Sequence, residues 1–258
     1  MSSPVSVVTG GSRGIGAATA VELARRGSDV AINYRSKASR AEEVAAEIRA
    51  LGRRCLTVQA DLTDDAQIEA LAQAVRSEFG TVNRLILNAA GGLERDKDDS
   101  YAYALNVTAN ERLLDELLPA MPPGSSVVFV TSHPSHFYGR LPVMAGYERV
   151  ASTKKAAEEA LRARIPELAA RGARLAVVSG DLIEGTINAK LMERAYPGMM
   201  QAREQESGAL PTVAEFSAAI ADAAMNDSLP SGETILIGST EWGTYQAIYS
   251  REAGSAAL

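Results

Sequence analysis

The chain has 258 residues, 46% of them hydrophobic, with a formal charge of -6 and a pI of about 5.2. That acidic balance excludes the basic face of a nucleic-acid binder, and no apolar run approaches the roughly 20 residues of a membrane helix. The single Cys55 rules out an intramolecular disulfide, two histidines leave little for a transition-metal site, and "MSSPVSVVTGG" carries no leader, so a cytoplasmic protein is expected.

Short β-branched runs alternate with alanine-rich amphipathic stretches. The first run, "VSVVTG" (5–10), passes through "TGGSRGIG" (9–16) into a predicted helix over 15–26. Gly10, Gly14 and Gly16 allow a tight turn and close backbone approach to a pyrophosphate, and the helix N-terminus supplies free N–H groups. Strand, glycine triplet, helix and a second strand in that order predict a dinucleotide site. The second strand, "DVAINY" (29–34), ends at Asn33, Tyr34 and Arg35 with no carboxylate for the ribose hydroxyls. Arg35 and Arg13 instead offer two charged forks, which suit the 2′-phosphate of NADPH.

A helix over 39–51 and a strand over 54–60 follow, ending in "ADLTD". Asp61 in that stretch suits either the adenine amino group or the cap of the next helix, predicted over 65–79. The fourth strand (83–89) opens into the polar loop "GGLERDKDDS" (91–100), then come a helix over 102–118 and a strand over 126–132. A helix over 147–171 and a strand over 174–180 lead to the segment 184–211, followed by a helix over 213–225 and a seventh strand over 234–239.

Strand and helix alternating this often predict one α/β domain over 1–258: a Rossmann-type, doubly wound parallel sheet of about seven strands flanked by helices. Ligands bind outside the carboxyl ends of such strands. The 184–211 insertion lies there, with Met192, Met199 and Met200, and reads as a substrate lid; an ordinary surface helix pair is the alternative. The aromatic tail, 240–258 with Trp242, Tyr245 and Tyr249, has no role legible in the sequence.

Over nearly its whole length the chain resembles the short-chain dehydrogenase/reductase family, on "TGGSRGIG" (9–16), "ADL" (60–62), "NAAG" (88–91), "LNV" (105–107) and "VTS" (130–132). The resemblance implies NADPH contact from Gly10, Ser12, Arg13, Gly14, Ile15, Gly16, Arg35, Asp61, Leu62, Asn88, Ala89 and Ala90. It implies that Asn106 supports the active-site lysine through water and that Ser132 hydrogen-bonds a substrate oxygen. It also implies a homodimer or homotetramer built on the helices around 102–118 and 147–171. Two departures stand out: the separation of Asn88 from Asn106 is short for the family, and Ser179-Gly180 stands where Pro-Gly is usual.

The family's Tyr-x-x-x-Lys is absent from "GYERVASTKKAAEEALR" (146–162), where Ala151 lies four residues after Tyr147 and Lys154 lies seven after it. Three readings compete. Tyr147 pairs with Lys154, which also holds the nicotinamide ribose; or the tyrosine is lost; or Tyr138 is the acid and Tyr147 is structural. Lys155 falls on a solvated helical face. Four and seven residues both return to nearly the same helical face, but seven rise about 10 Å against about 6 Å. An acid one turn further away suits a substrate whose polar oxygen lies beyond the carbon that accepts hydride. The Tyr-x6-Lys spacing, with Tyr138 nine residues earlier lining the pocket, resembles the enoyl-acyl-carrier-protein reductases of this family.

The expected function is therefore NADPH-dependent hydride transfer to a carbonyl-conjugated substrate, small or carrier-bound, with the C=C of an enoyl thioester first. Tyr147, Lys154, Ser132 and Asn106 form the expected catalytic set, with Tyr138 and Met192 on the substrate. A keto reductase and a non-catalytic NADPH-binding sensor are the alternatives. His133 and His136, close after Ser132, are expected as loop residues, though a histidine acid is chemically open.

Overall fold

The computed structural model describes residues 3–94, 97–141, 143 and 146–240; the tail carrying Trp242, Tyr245 and Tyr249 lies outside them. Seven strands form one all-parallel sheet in the order β3-β2-β1-β4-β5-β6-β7. They are β1 (Val5–Val8), β2 (Asp29–Tyr34), β3 (Cys55–Gln59), β4 (Arg84–Leu87), β5 (Ser126–Ser132), β6 (Arg174–Gly180) and β7 (Glu233–Ile237). The order reverses direction at β1 and β4, which opens a crevice at the carboxyl ends of those strands.

Alternating side chains along each strand feed two separate cores. On one face Val7, Leu85, Leu87, Val127, Phe129 and Val177 pack with Leu71 of α3 (Asp65–Phe79), Leu113 of α5 (Ala109–Leu117) and Leu161 of α7 (Glu148–Ala163). On the other face Val8, Ile32, Ile86, Val128 and Val178 pack with Leu23 of α1 (Gly14–Arg25), Ile48 of α2 (Ala38–Ala50) and Phe216 of α11 (Val213–Met225). Each fully buried aliphatic side chain contributes about 1.5–3 kcal/mol, enough across two cores to offset the ordering of the chain.

Three stretches differ from the sequence pattern. The expected helix over 102–118 starts earlier, as α4 (Asp99–Tyr103) capped by Asp98, and runs through a π-helical turn, Ala104–Thr108, into α5. The expected helix over 147–171 breaks into α7 and α8 (Ile165–Ala170) around Arg164, because Pro166 removes an N–H and its ring clashes with the preceding turn. The 184–211 segment forms α9 (Ile187–Ala195) and α10 (Met199–Ser207), closed at its base by the Glu184–Thr212 bridge. A further short helix, α6 (His133–His136), follows β5 directly.

Candidate active site

A cleft of about 730 Å³ runs across the carboxyl ends of the strands. Of the expected residues, Gly10, Ser12, Arg13, Gly14, Ile15, Gly16, Arg35, Leu62, Asn88, Ala89, Ala90, Ser132, Tyr147, Lys154 and Met192 all line it; Asp61, Asn106 and Tyr138 do not.

Backbone geometry explains the glycine loop. Gly10 has φ +65, a conformation that strains any residue with a Cβ. A Cβ on Gly16 would lie 2.4 Å from the Gly10 carbonyl oxygen and 2.6 Å from Asn88 Nδ2, so α1 could not approach β4 as it does. The Asn88 amide donates to the Thr9 carbonyl at 2.9 Å, and the Thr9 hydroxyl accepts from the N–H groups of Asn88 and Ala89, both at 2.9 Å. Thr9 thus ties the end of β4 to the loop, a role its motif does not disclose. At the start of α1, Arg13 makes no side-chain capping hydrogen bond and the first turn holds no acidic residue, which leaves its N–H groups and dipole end for an anion.

The wall beyond β2 is more basic than the two expected arginines. Lys37 and Arg40 line the cleft beside Arg13 and Arg35. Their signal was present in "YRSKASR", as cations spaced along the entry to α2. Asn33, at the end of β2, is buried and bonded, its amide donating to the Ala60 carbonyl at 3.0 Å. Asp61 serves its own loop: its carboxylate accepts from the Thr63 N–H at 3.0 Å and the Thr63 hydroxyl at 2.8 Å, while Asp64 caps α3.

At the far end of the cleft, Ser132 terminates β5 and Tyr147 sits just before α7. Ser132 Oγ lies 3.1 Å from Tyr147 Oη and 2.9 Å from Ser135 Oγ. The phenol is buried, and burial pushes its pKa up while the Ser132 and Ser135 hydroxyls pull the other way. It therefore carries its proton at neutral pH. Lys154, two turns along α7, lies in the same cleft with its ammonium 5.9 Å from the Phe129 ring centre. No hydrogen bond reaches that ammonium among the described residues, and burial lowers its pKa to about 8. Asn106 is buried in the π-helical turn. It exchanges hydrogen bonds with Gly91 and donates to Thr153, the residue before Lys154, at 2.9 Å. Its contact is thus with α7 beside the lysine.

Both histidines face away from acid chemistry. His133 Nδ1 lies 2.8 Å from Ser179 Oγ, and burial lowers the ring's pKa to about 4, so it stays neutral. His136 Nδ1 lies 2.8 Å from Glu158 Oε2, and Arg162 links the same carboxylate to Gly232 and Thr234 ahead of and within β7. Tyr138 packs at the edge of an apolar cluster with its hydroxyl donating to Glu148 at the surface, 3.2 Å away.

That cluster forms the other wall. Tyr147, Val150 and Ala151 of the α7 region pack with Leu182, Ala189, Met192, Met199 and Leu210. Met192 also lines the cleft, and Met200 packs at the cluster's edge. Holding α10 in place is Arg203, buried completely and unpredicted by the sequence. Its guanidinium donates to Asp181 at 2.8–3.2 Å and to the Ser239 carbonyl at 2.9 Å. Asp181 follows β6 and lines the cleft.

The chain is similar to known proteins in sequence and fold. A family model described as short chain dehydrogenase matches residues 4–195. A hydroxynaphthalene reductase of Aspergillus fumigatus is 39% identical over 140 residues, covering 51% of this chain and 50% of that protein. A 1-cyclohexenylcarbonyl-CoA reductase of Streptomyces collinus is 30% identical over 186 residues, covering 70% of this chain and 65% of that protein. The alignments thus span between half and two-thirds of those relatives' own length. Among solved structures, a short chain dehydrogenase from Burkholderia cenocepacia in complex with NADP superposes with a TM-score of 0.77 at 28% identity, covering 91% of this chain and 96% of that one.

Proposed function

The chain belongs to the short chain dehydrogenase family, and from that premise we propose that it is an NADPH-dependent reductase of carbonyl-conjugated substrates, the C=C of an enoyl thioester first. One observation carries the reading: Tyr147, buried at the far end of the cleft, shares it with Lys154 seven residues on. The cofactor's fit rests on the Gly10–Gly16 approach, the uncapped start of α1, the basic wall beyond β2 and the ammonium of Lys154. Bound NADPH would supply the hydride.

The chain's own residues supply the rest. Gly10, Ser12, Gly14, Ile15 and Gly16 cradle the pyrophosphate, and Arg13 and Arg35 face the ribose phosphate. Leu62, Asn88, Ala89 and Ala90 border the adenosine, and Asp61 reaches the adenine only by releasing Thr63. With hydride delivered to the β-carbon, Tyr147 would donate a hydrogen bond, then its proton, to the enolate oxygen two bonds beyond the α-carbon; the enol would then take a proton from water at the α-carbon as its O–H proton leaves, giving the saturated thioester. A preorganised donor of this kind contributes about 3–4 kcal/mol at such an oxygen. Lys154 holds the nicotinamide ribose and stabilises the phenolate, and Asn106 fixes α7 beside it through Thr153. The 184–211 segment acts as lid, with Met192 against the acyl chain and Tyr138 at the rim. Assembly as a homodimer or homotetramer completes this reading. The name of the Streptomyces collinus relative describes a conjugated enoyl thioester, which supports the choice of substrate class.

Carbonyl reduction is the second reading. The 3.1 Å approach of Ser132 Oγ to Tyr147 Oη favours it, because two hydroxyls can then converge on one carbonyl oxygen. NADPH oxidation with crotonyl-CoA and acetoacetyl-CoA in parallel separates the two. Turnover of the enoyl substrate is expected, and turnover of the keto substrate alone would reverse the order. Tight NADPH binding without oxidation over a wider enoyl and carbonyl panel would leave a binding protein.

The pH profile follows from Lys154. Its ammonium titrates at about 8, so the charge is present below that pH and lost above it. Because kcat/KM reports groups of the free enzyme, kcat/KM for NADPH should be level below pH 8 and fall above it, approaching about tenfold per unit. Lys154→Arg, with a far higher pKa, should carry the alkaline limb upward. A limb that stays near 8 in that variant assigns it to another group.

A further inference from the structure

Tyr101 belongs to α4, in the shortened stretch between β4 and α5, and takes no part in the reduction described above. Its position is nonetheless tightly defined. Asp98 accepts from the Tyr101 N–H at 3.1 Å and from the Ser100 hydroxyl at 2.6 Å, which fixes the first turn of α4. From there the side chain crosses to the exit of β2 and lines the cleft. Arg35 donates to the Tyr101 hydroxyl, and its guanidinium carbon lies 6.0 Å from the ring centre. Lys97 Nζ lies 5.2 Å from the same ring.

We propose that Tyr101 is a cofactor-specificity residue, one that orients Arg35 and donates its own O–H to the 2′-phosphate of the adenosine ribose. The proposal rests on the NADPH reading above and extends it to a residue from the opposite wall. A phenol oxygen can accept from Arg35 and still donate its proton. Among the described residues that hydroxyl has no acceptor of its own, so the donor is available. A phosphate monoester brings close to two negative charges and three acceptor oxygens, whereas a 2′-hydroxyl brings no charge. The phenol therefore discriminates between them.

The surrounding charges favour the same ligand. Arg13, Arg35, Lys37 and Arg40 line the cleft, and Lys97 faces the ring. Against them stand Glu94 and Asp61. Glu94 accepts from the Gly92 N–H at 2.6 Å, and Asp61 holds Thr63. Burial, with those two carboxylates and against Arg35, raises the phenol's pKa, so it keeps the proton it is to donate.

The test titrates wild type, Tyr101→Phe and Arg35→Ala with NADPH and NADH, and with 2′,5′-ADP and ADP as probes of the adenosine end alone. Tyr101→Phe keeps the ring, so circular dichroism should be unchanged. Its affinity for NADPH and 2′,5′-ADP should fall about tenfold, as for a lost hydrogen bond to a charged group, while NADH and ADP change by less than about twofold. Arg35→Ala should show the same selectivity with a larger loss. A wild type that prefers NADH would overturn the cofactor reading and the role of Tyr101 together. A wild type that prefers NADPH, with Tyr101→Phe weakening all four ligands equally or none, would overturn the role of Tyr101 alone.

Discussion

Replacing Tyr147 by phenylalanine should lower kcat by about 10²–10³-fold, the usual loss on removing one donor from a developing oxyanion, while NADPH affinity stays within about twofold. The ring of Tyr147 is part of the apolar cluster with Val150, Leu182 and Met199, and phenylalanine preserves that packing. What disappears is one hydroxyl, 3.1 Å from Ser132 Oγ and buried in the cleft. Because burial raises the phenol's pKa, the group is a proton donor at rest, and in the proposed mechanism it gives up that proton as negative charge develops on the substrate oxygen. The effect should therefore fall on kcat and kcat/KM alike, the signature of an interaction made in the transition state. Single-turnover NADPH oxidation at saturating substrate measures it directly. Activity within about threefold of wild type would remove Tyr147 as the acid and return attention to Ser132, the other hydroxyl at that point of the cleft.

The second large effect concerns stability. Arg203→Met should destabilise the fold by about 3–5 kcal/mol, because it removes the buried guanidinium that neutralises the Asp181 carboxylate. Both side chains are about 1% exposed, and the guanidinium also holds the Ser239 carbonyl and Glu206. A charge in that position must be paired or neutralised, since desolvation alone costs several kcal/mol per ion. Asp181→Asn should be damaging for the complementary reason, removing the buried carboxylate that faces the guanidinium. The double variant should recover much of the loss, giving a coupling of more than about 1 kcal/mol in a double-mutant cycle. Urea unfolding of the four proteins checks this. Additive, small effects would show that water reaches the pair and that α10 is held by Met199 and Leu210 alone. Because Asp181 also lines the cleft, the same variants should raise KM for substrate more than they lower kcat.

Short-range features were legible in the residues because they are local. The continuous β-branched cores of β5 and β6 and the amphipathic spacing of α3 and α11 depend on neighbours within a few positions, and the first and last residues of those elements match the expected bounds. The boundary at Arg164 was readable in principle from Pro166, but an otherwise unbroken helical pattern masked it. The insertion over 184–211, for which a helix pair is one of two readings, forms two helices, and tertiary contacts of Met192, Met199 and Arg203 secure them.

Residue order alone disclosed the parallel α/β architecture, the glycine loop before α1, the absence of a carboxylate after β2 and the presence of Ser132, Tyr147 and Lys154 in one region of the chain. Each follows from residue type and spacing within a single element or one connection. Which distant side chains meet depends on the packing of the folded chain. That packing set Tyr101 on Arg35 and Arg203 on Asp181, gave Glu158 to His136 and Ser179 to His133, and turned Tyr138 to the surface. These pairings join positions on elements brought side by side by the strand order and the path of each crossover. A buried charge or hydroxyl takes whatever partner that packing presents, and no local pattern encodes it.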